Sequence, residues 1–215
     1  MHAGRWNERI HRLIVDPICH VVGFGVPSED ALRTIAKHGP LVEMGAGTGY
    51  WAAILQHRGV DVEPYDLVLP DASLANQFFY DSTFTTVAQC DARGIFRERP
   101  ELASRALLLV WPNNPDALES PKHAASHGGP QMPIWDAECL EAYLDAGGHT
   151  VVYVGEREAT IRTKPGAPSD SGVTATRRFQ SMLSERLSLV EAMPVPNWCA
   201  TRADDLTVWE RRVSG

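Results

Sequence analysis

The chain reads as an α/β protein: a mostly parallel, seven-stranded sheet flanked by helices and finished by an antiparallel C-terminal hairpin. Three observations predict this. Short apolar runs and helical patterns alternate over most of the 215 residues. Runs such as Leu107-Leu108-Leu109-Val110 and Thr150-Val151-Val152-Tyr153-Val154 are apolar at consecutive positions, which suits central parallel strands covered on both faces. A glycine-rich junction, Gly45-Ala46-Gly47-Thr48-Gly49, joins the first run to the helix that follows it.

In chain order, a helical arm is expected over about Trp6 to Val15. Pro27-Ser28-Glu29-Asp30 then signals a helix start: Ser28 can cap, two carboxylates complement the helix dipole, and Ala31, Leu32, Ile35 and Ala36 form an apolar stripe. Gly39-Pro40 stops that helix. The strands expected next are Leu41 to Met44, Val60 to Asp66, Phe84 to Gln89, Ala106 to Trp111 and His149 to Gly155. Helices are expected over Tyr50 to His57 and Ile134 to Ala146, the latter ended by Gly147-Gly148. A further helix, Thr176 to Leu187, precedes two strands, Leu189 to Met193 and Leu206 to Arg212. The turn-rich segment between those strands lets them pair as an antiparallel hairpin with a long loop. One globular domain is expected overall, with residues 1–39 as an N-terminal helical arm or cap on a ligand-binding unit over 40–215.

Composition bounds the partners. Hydrophobic residues make up 44% and charged residues 22%, ordinary for a globular protein with a full core. Net charge is −7, from 27 acidic against 20 basic residues, and the basic clusters Arg177-Arg178 and Arg211-Arg212 are short. Nucleic acid is therefore disfavoured as a partner, because an enzyme acting on it needs a basic face. No apolar run is long enough for a membrane span, and no apolar segment follows the N-terminal charges, so a cytoplasmic location is expected. Cys19, Cys90, Cys139 and Cys199 are widely separated, which fits neither a disulfide framework nor a zinc site. No metal is expected; His123 and His127 are four apart but sit among loop residues.

The sharpest feature is the glycine junction and the acid before it. Gly45 permits a sharp turn after the strand, and Gly47 removes a side chain where a ligand must approach the backbone. Gly49 either allows tight helix packing or bares the helix N-terminus. The spacing is GxGxG rather than the dinucleotide GxGxxG, and Glu43 ends the preceding strand. A pyrophosphate gains nothing beside a carboxylate, whereas a cationic, amine-bearing ligand does. Asp66, about 20 residues further on at the next strand tip, is placed to take both hydroxyls of a ribose. Asp91, after the third strand, is placed either to reach an adenine amino group or to cap a turn.

With these residues in view, Leu41-Val42-Glu43-Met44-Gly45-Ala46-Gly47-Thr48-Gly49-Tyr50 resembles motif I of the class I S-adenosylmethionine (SAM)-dependent methyltransferases. The resemblance spans roughly residues 28 to 212 and implies a Rossmann-like sheet, SAM as cofactor and S-adenosylhomocysteine (SAH) as product. It implies cofactor contacts at Glu43, Gly45, Ala46, Gly47 and Gly49, with Asp66 as the ribose acid and Asp91 as the acid near adenine. Trp111, at the tip of strand four, either flanks the adenine or sulfonium or caps the core. Two departures from the family matter. Pro64 removes a ladder donor within strand two, which bears on the aim of Asp66. Strand four ends Trp111-Pro112-Asn113-Asn114-Pro115-Asp116, without the Asp/Asn-Pro-Pro-aromatic order of enzymes that methylate planar amines on nucleic acids.

On the acceptor side, the stretch from Leu118 to Pro133 reads as a substrate lid or a disordered segment, with His123 and His127 as candidate bases. A second candidate lid, Glu156 to Val173, has Glu156 and Arg157 at its root. The expected reaction is methyl transfer to a nucleophilic oxygen or nitrogen, with a small-molecule acceptor favoured over a peptide or protein. The alternatives are a nucleotide- or NAD-linked enzyme, which Glu43 opposes, and a catalytically silent SAM-binding interaction module.

Overall fold

The computed structural model describes residues 11–69, 83–112, 135–157, 174–198 and 204–212. A π-helical turn over His11–Val15 runs directly into α1 (Asp16–Val22). The expected arm therefore continues past Val15, with Pro17 in the first turn of α1. Residues 1–10 lie outside the described segments. The remaining elements are α2 (Glu29–Ala36), β1 (Leu41–Met44), α3 (Tyr50–His57), β2 (Val62–Asp66), β3 (Ala88–Gln89), α4 (Ile95–Glu98), β4 (Ala106–Val110), α5 (Asp136–Asp145), β5 (Thr150–Glu156), α6 (Arg177–Arg186), β6 (Leu187–Pro194) and β7 (Asp204–Arg211). No helix among the described residues is long and apolar enough to cross a membrane.

The strands form one seven-stranded sheet in the order β3-β2-β1-β4-β5-β7-β6. The first five strands run parallel, and β7 enters antiparallel between β5 and β6. This is the expected Rossmann-like arrangement with its antiparallel hairpin. Alternation along each strand divides the core into two layers. Val42, Met44, Leu107, Leu109, Val151 and Tyr153 pack against α5 and α6 on one face. Leu41, Leu108, Val152, Val154, Leu206 and Val208 pack with α2 and α3 on the other.

Local chemistry sets the helix starts. The Ser28 hydroxyl accepts the Ala31 N–H at 3.2 Å, as the cap signature predicts, and Ala31, Leu32 and Ile35 are buried. Thr176 caps α6 by accepting the Phe179 N–H at 3.1 Å. Thr176 is itself held by buried Asp136, whose carboxylate accepts the Thr176 N–H at 2.6 Å and its hydroxyl at 2.8 Å. At the opposite end of the sheet, the Tyr143 hydroxyl lies 2.9 Å from the Arg105 carbonyl and 2.8 Å from that of Thr150. It also accepts the His149 and Thr150 N–H groups at 3.2 Å, tying α5 to the entry of two central strands.

Several expected boundaries shift. Strand two begins at Val62 rather than Val60, strand four ends at Val110, and the helix expected over Ile134 to Ala146 is α5, Asp136–Asp145. The hairpin strands are longer than expected, and β6 follows α6 without a linker. Strand three contracts most, from Phe84–Gln89 to Ala88–Gln89. The reason lies in β2. Asp61 and Tyr65 turn their carbonyls to the β1 side, accepting from Leu41 at 2.8 Å and Ala46 at 3.0 Å, while Asp66 turns its carbonyl to Cys90 at 2.9 Å. By alternation, Pro64 faces the β3 side, where it offers no N–H. The ladder therefore covers only Tyr65 and Asp66. Phe84 and Thr85 turn instead onto α3 and its approach, through Phe84 N–H to the Thr48 carbonyl (2.8 Å) and Thr85 hydroxyl to Gln56 (2.8 Å). The chain also forms α4 and a 3-10 turn over Pro100–Ser104, which no apolar periodicity announces.

Candidate functional site

From β1 the chain passes to β2 and β3 on one side, then crosses to β4 on the other. In open α/β sheets such a reversal leaves a crevice at the carboxyl ends of the strands. Here it holds a cavity of about 240 Å³, walled by the ends of β1, β2 and β4, the glycine junction, the loop after α1 and the approach to α5.

The junction adopts the conformation that its glycines allow. Gly45, Gly47 and Gly49 have φ of 71°, 56° and 71°, in the left-handed region open to glycine. Their neighbours differ. A Cβ at Gly45 would lie 2.7 Å from the Trp135 ring, and one at Gly49 would lie 2.9 Å from the side chains of Thr85 and Val87. Gly49 therefore serves the packing of the segment before β3, and Gly45 admits an aromatic ring against the backbone of the cavity. Ala46 lies between them on the cavity wall.

Asp66 holds the junction's shape: its carboxylate accepts the Gly47 N–H at 2.8 Å and the Val68 N–H at 3.1 Å. Burial raises its carboxyl above the usual range, against the lowering effect of these backbone donors. Each carboxylate oxygen has two lone pairs, so acceptor capacity remains for a ligand hydroxyl. Despite Pro64, the side chain reaches the cavity.

Glu43 is 2% exposed at the end of β1. It accepts the N–H of Ala52, one of the first-turn donors of α3 without an intrahelical partner. Desolvation raises its carboxyl to about 8, with nearby Asp66 adding to the rise. Its Oε2 is buried without a hydrogen-bond partner. So is the indole Nε1 of Trp51, which also walls the cavity. An acceptor and a donor without partners thus lie buried in two residues that wall the same cavity, an arrangement that natural interiors seldom leave.

Asp91 also borders the cavity, but Arg93 engages its carboxylate at 2.6 to 3.1 Å through the guanidinium, and the Arg93 N–H donates to it at 3.0 Å. The guanidinium holds its carboxyl below the ordinary value. The turn-capping alternative describes this geometry. Cys90 beside it is a free thiol pushed up to about 12 by burial, with the Asp66 and Asp91 charges adding to that. Trp111 leaves β4 with φ 50°, rare for a bulky side chain, stacks on Phe24 and donates its indole N–H to Asp204 at 3.1 Å.

The structure thus brings Glu43, Gly45, Ala46, Asp66, Asp91 and Trp111 to one cavity, with Gly47 and Gly49 shaping its floor from behind. His123 and His127 lie outside the described residues, as does the stretch from Leu118 to Pro133. Of the second candidate lid, only Glu156 and Arg157 are described; Glu156 is buried and Arg157 pairs with Asp205 at 2.5 Å. Sequence reasoning missed Trp51, Trp135 and Phe24. Trp51 carries a positional signal, being in the first turn after the glycines, whereas the approach of Phe24 and Trp135 depends on tertiary packing.

No family model and no curated protein matches the chain. Among solved structures, it is similar to magnesium protoporphyrin IX methyltransferase from Synechocystis PCC 6803 with bound SAM, at 9% identity and a TM-score of 0.46, covering 97% of this chain and 96% of that one. It is similar to 1,6-didemethyltoxoflavin-N1-methyltransferase from Burkholderia thailandensis with bound SAH, at 16% identity and a TM-score of 0.45, covering 97% and 86%. It is also similar to TrmN from Thermus thermophilus, at 18% identity and a TM-score of 0.45, over 85% of this chain but only about half (48%) of that one.

Proposed function

We propose that the protein is a SAM-dependent methyltransferase acting on a nucleophilic oxygen or nitrogen of a small molecule. The observation that carries this reading is the switch-point cavity, where buried Glu43 and half-buried Asp66 flank a left-handed glycine turn. No lysine, arginine or histidine is among its described lining residues. Such a wall offers a cationic nucleoside ligand carboxyl partners and offers a pyrophosphate no base among the described lining residues, which disfavours the NAD-linked alternative.

The residues fit the group. Glu43 Oε2 is a spare buried acceptor for an ammonium, and the Trp51 indole N–H is a spare donor for the carboxylate of the same amino-acid end. Asp66 offers its remaining lone pairs to the ribose while still bracing Gly47. When bound, the cofactor supplies a methyl group on a good leaving group. The protein's task is then to hold an acceptor in line and exclude water, and positioning alone supplies much of such a rate. The acidic wall also supports a small acceptor over a polyanion.

Calorimetric titration with SAM, SAH and NADH tests the reading. Saturable binding of SAM and SAH without NADH is expected; NADH binding alone would overturn it. A metabolite extract incubated with methyl-labelled SAM then separates an enzyme, which labels an acceptor, from a silent binding module, which labels nothing.

A further inference from the structure

Toward β1 and β2 the cavity presents carboxyls, bare backbone and the Tyr65 ring. Toward the loop after α1 and the end of β4 it is lined by the stacked rings of Phe24 and Trp111, while Trp135 lies over Gly45. Neither Phe24 nor Trp111 belongs to either core layer, and the two rings stack on each other at the cavity.

Both rings are held firmly. Trp111 keeps a left-handed backbone conformation, φ 50°, that is strained for a bulky residue. It is anchored by its indole bond to buried Asp204, at 3.1 Å. Its ring lies 16° from parallel to that of Phe24, with centroids 5.9 Å apart. The Phe24 loop is pinned on both sides. The Gly23 N–H donates to the Cys19 carbonyl at 2.8 Å, and the Trp198 indole donates to the Gly23 carbonyl at 3.2 Å. A Cβ on Gly25 would lie 2.7 Å from Val110. Strain retained at a cavity wall by a buried anchor marks a surface organised in advance for a ligand.

We propose that this ring-lined side binds the methyl acceptor, and that the acceptor is a small planar aromatic or heteroaromatic molecule without a phosphate. The proposal rests on the methyltransferase reading above. Flat rings gain most from offset stacking on other flat rings, and a saturated ring of equal size gains only burial. A phosphate brought into the cavity would meet the Asp66 and Asp91 carboxylates, with no base among the described lining residues to offset them. Stacking holds a ring-edge oxygen or nitrogen in a fixed plane. Its lone pair forms the bond to the methyl carbon as the carbon–sulfur bond breaks; the bond electrons go to sulfur and the acceptor's proton goes to water.

The test titrates the full chain, with and without saturating SAH, with 2-naphthol and 6-hydroxyquinoline as flat probes and decahydro-2-naphthol as the saturated control. The flat probes are expected to bind about tenfold tighter than the control, beyond what equal burial gives. Phe24→Leu and Trp111→Leu should each weaken the flat probes roughly two- to tenfold and leave the saturated control within about twofold, and Phe24→Leu should also leave SAH within about twofold. Thermal melts check folding, and Phe24→Leu, outside both core layers, keeps the test valid if Trp111→Leu unfolds. Equal affinity for flat and saturated probes, or leucine variants that bind the flat probes like wild type, would overturn the proposal. SAH binding without ring selectivity sinks this inference alone; ring selectivity without SAH binding sinks the cofactor reading and leaves the ring site standing.

Discussion

Replacing Glu43 with glutamine tests the cofactor end of the site quantitatively. With its carboxyl at about 8, wild-type Glu43 is about nine-tenths protonated at pH 7 in the free protein. A cation seated against it favours the ionised form, so binding must expel that proton. Apparent affinity for SAM should therefore climb roughly twentyfold between pH 6 and pH 7.5 and level off above about 8. At pH 7, calorimetry in two buffers of different ionisation heat should report release of about 0.9 proton per SAM bound. Glu43→Gln should lose that proton release, and the same titration of the variant subtracts any ionisation of the cofactor itself. At pH 8 the variant should bind roughly ten- to a hundredfold more weakly, the worth of one hydrogen bond to a charged group. Stability should move the other way. The folded carboxyl sits above its unfolded value of 4.5, so the folded state holds a proton that the unfolded chain releases, and stability falls as pH rises from 4.5 to about 8. At pH 7 the penalty is about 3 kcal/mol. Glutamine keeps an acceptor for Ala52 and removes that penalty, so the variant should melt several degrees higher at pH 7 and no higher at pH 4. Equal proton release by both proteins, or a variant less stable at pH 7, would refute the reasoning.

Asp66→Ala removes the acceptor of the Gly47 and Val68 N–H groups and should weaken SAM roughly ten- to a hundredfold while circular dichroism shows an intact fold. Gly49→Ala places a methyl 2.9 Å from Thr85 and Val87 at a φ of 71°, and should cost about 2–4 kcal/mol in urea unfolding. Tyr143→Phe strips a hydroxyl shared by α5 and two strand entries, and should cost about 1–3 kcal/mol by the same measurement with no change in SAM affinity.

The parallel half of the sheet was legible because Leu107-Leu108-Leu109 and Val151-Val152 are apolar without alternation, and that pattern survives any tertiary detail. The glycine junction was legible because left-handed φ at Gly45, Gly47 and Gly49 is a backbone demand that few other residues meet. Strand three was not, because its length is decided by a neighbour. Pro64 faces it without a donor, so its apolar residues find α3 instead. Asp91 shows the same limit at the site, since only the fold tells whether Arg93, two residues away, will take its carboxylate. Phe24 is hidden more deeply. It is flanked by glycines in the sequence, and its neighbour Trp111 stands far along the chain.

The place of β7 in the sheet carries a consequence for biosynthesis. β6 touches the sheet only through β7, which slots between it and β5, so the edge of the sheet cannot be laid down in the order of synthesis. The ribosome has to deliver residues through Arg211 before β6 can join the sheet. Asp204, which fixes the Trp111 indole, is the first residue of that late strand. A nascent chain can thus complete the Glu43 and Asp66 side early, while its aromatic wall acquires this anchor only once β7 has been made.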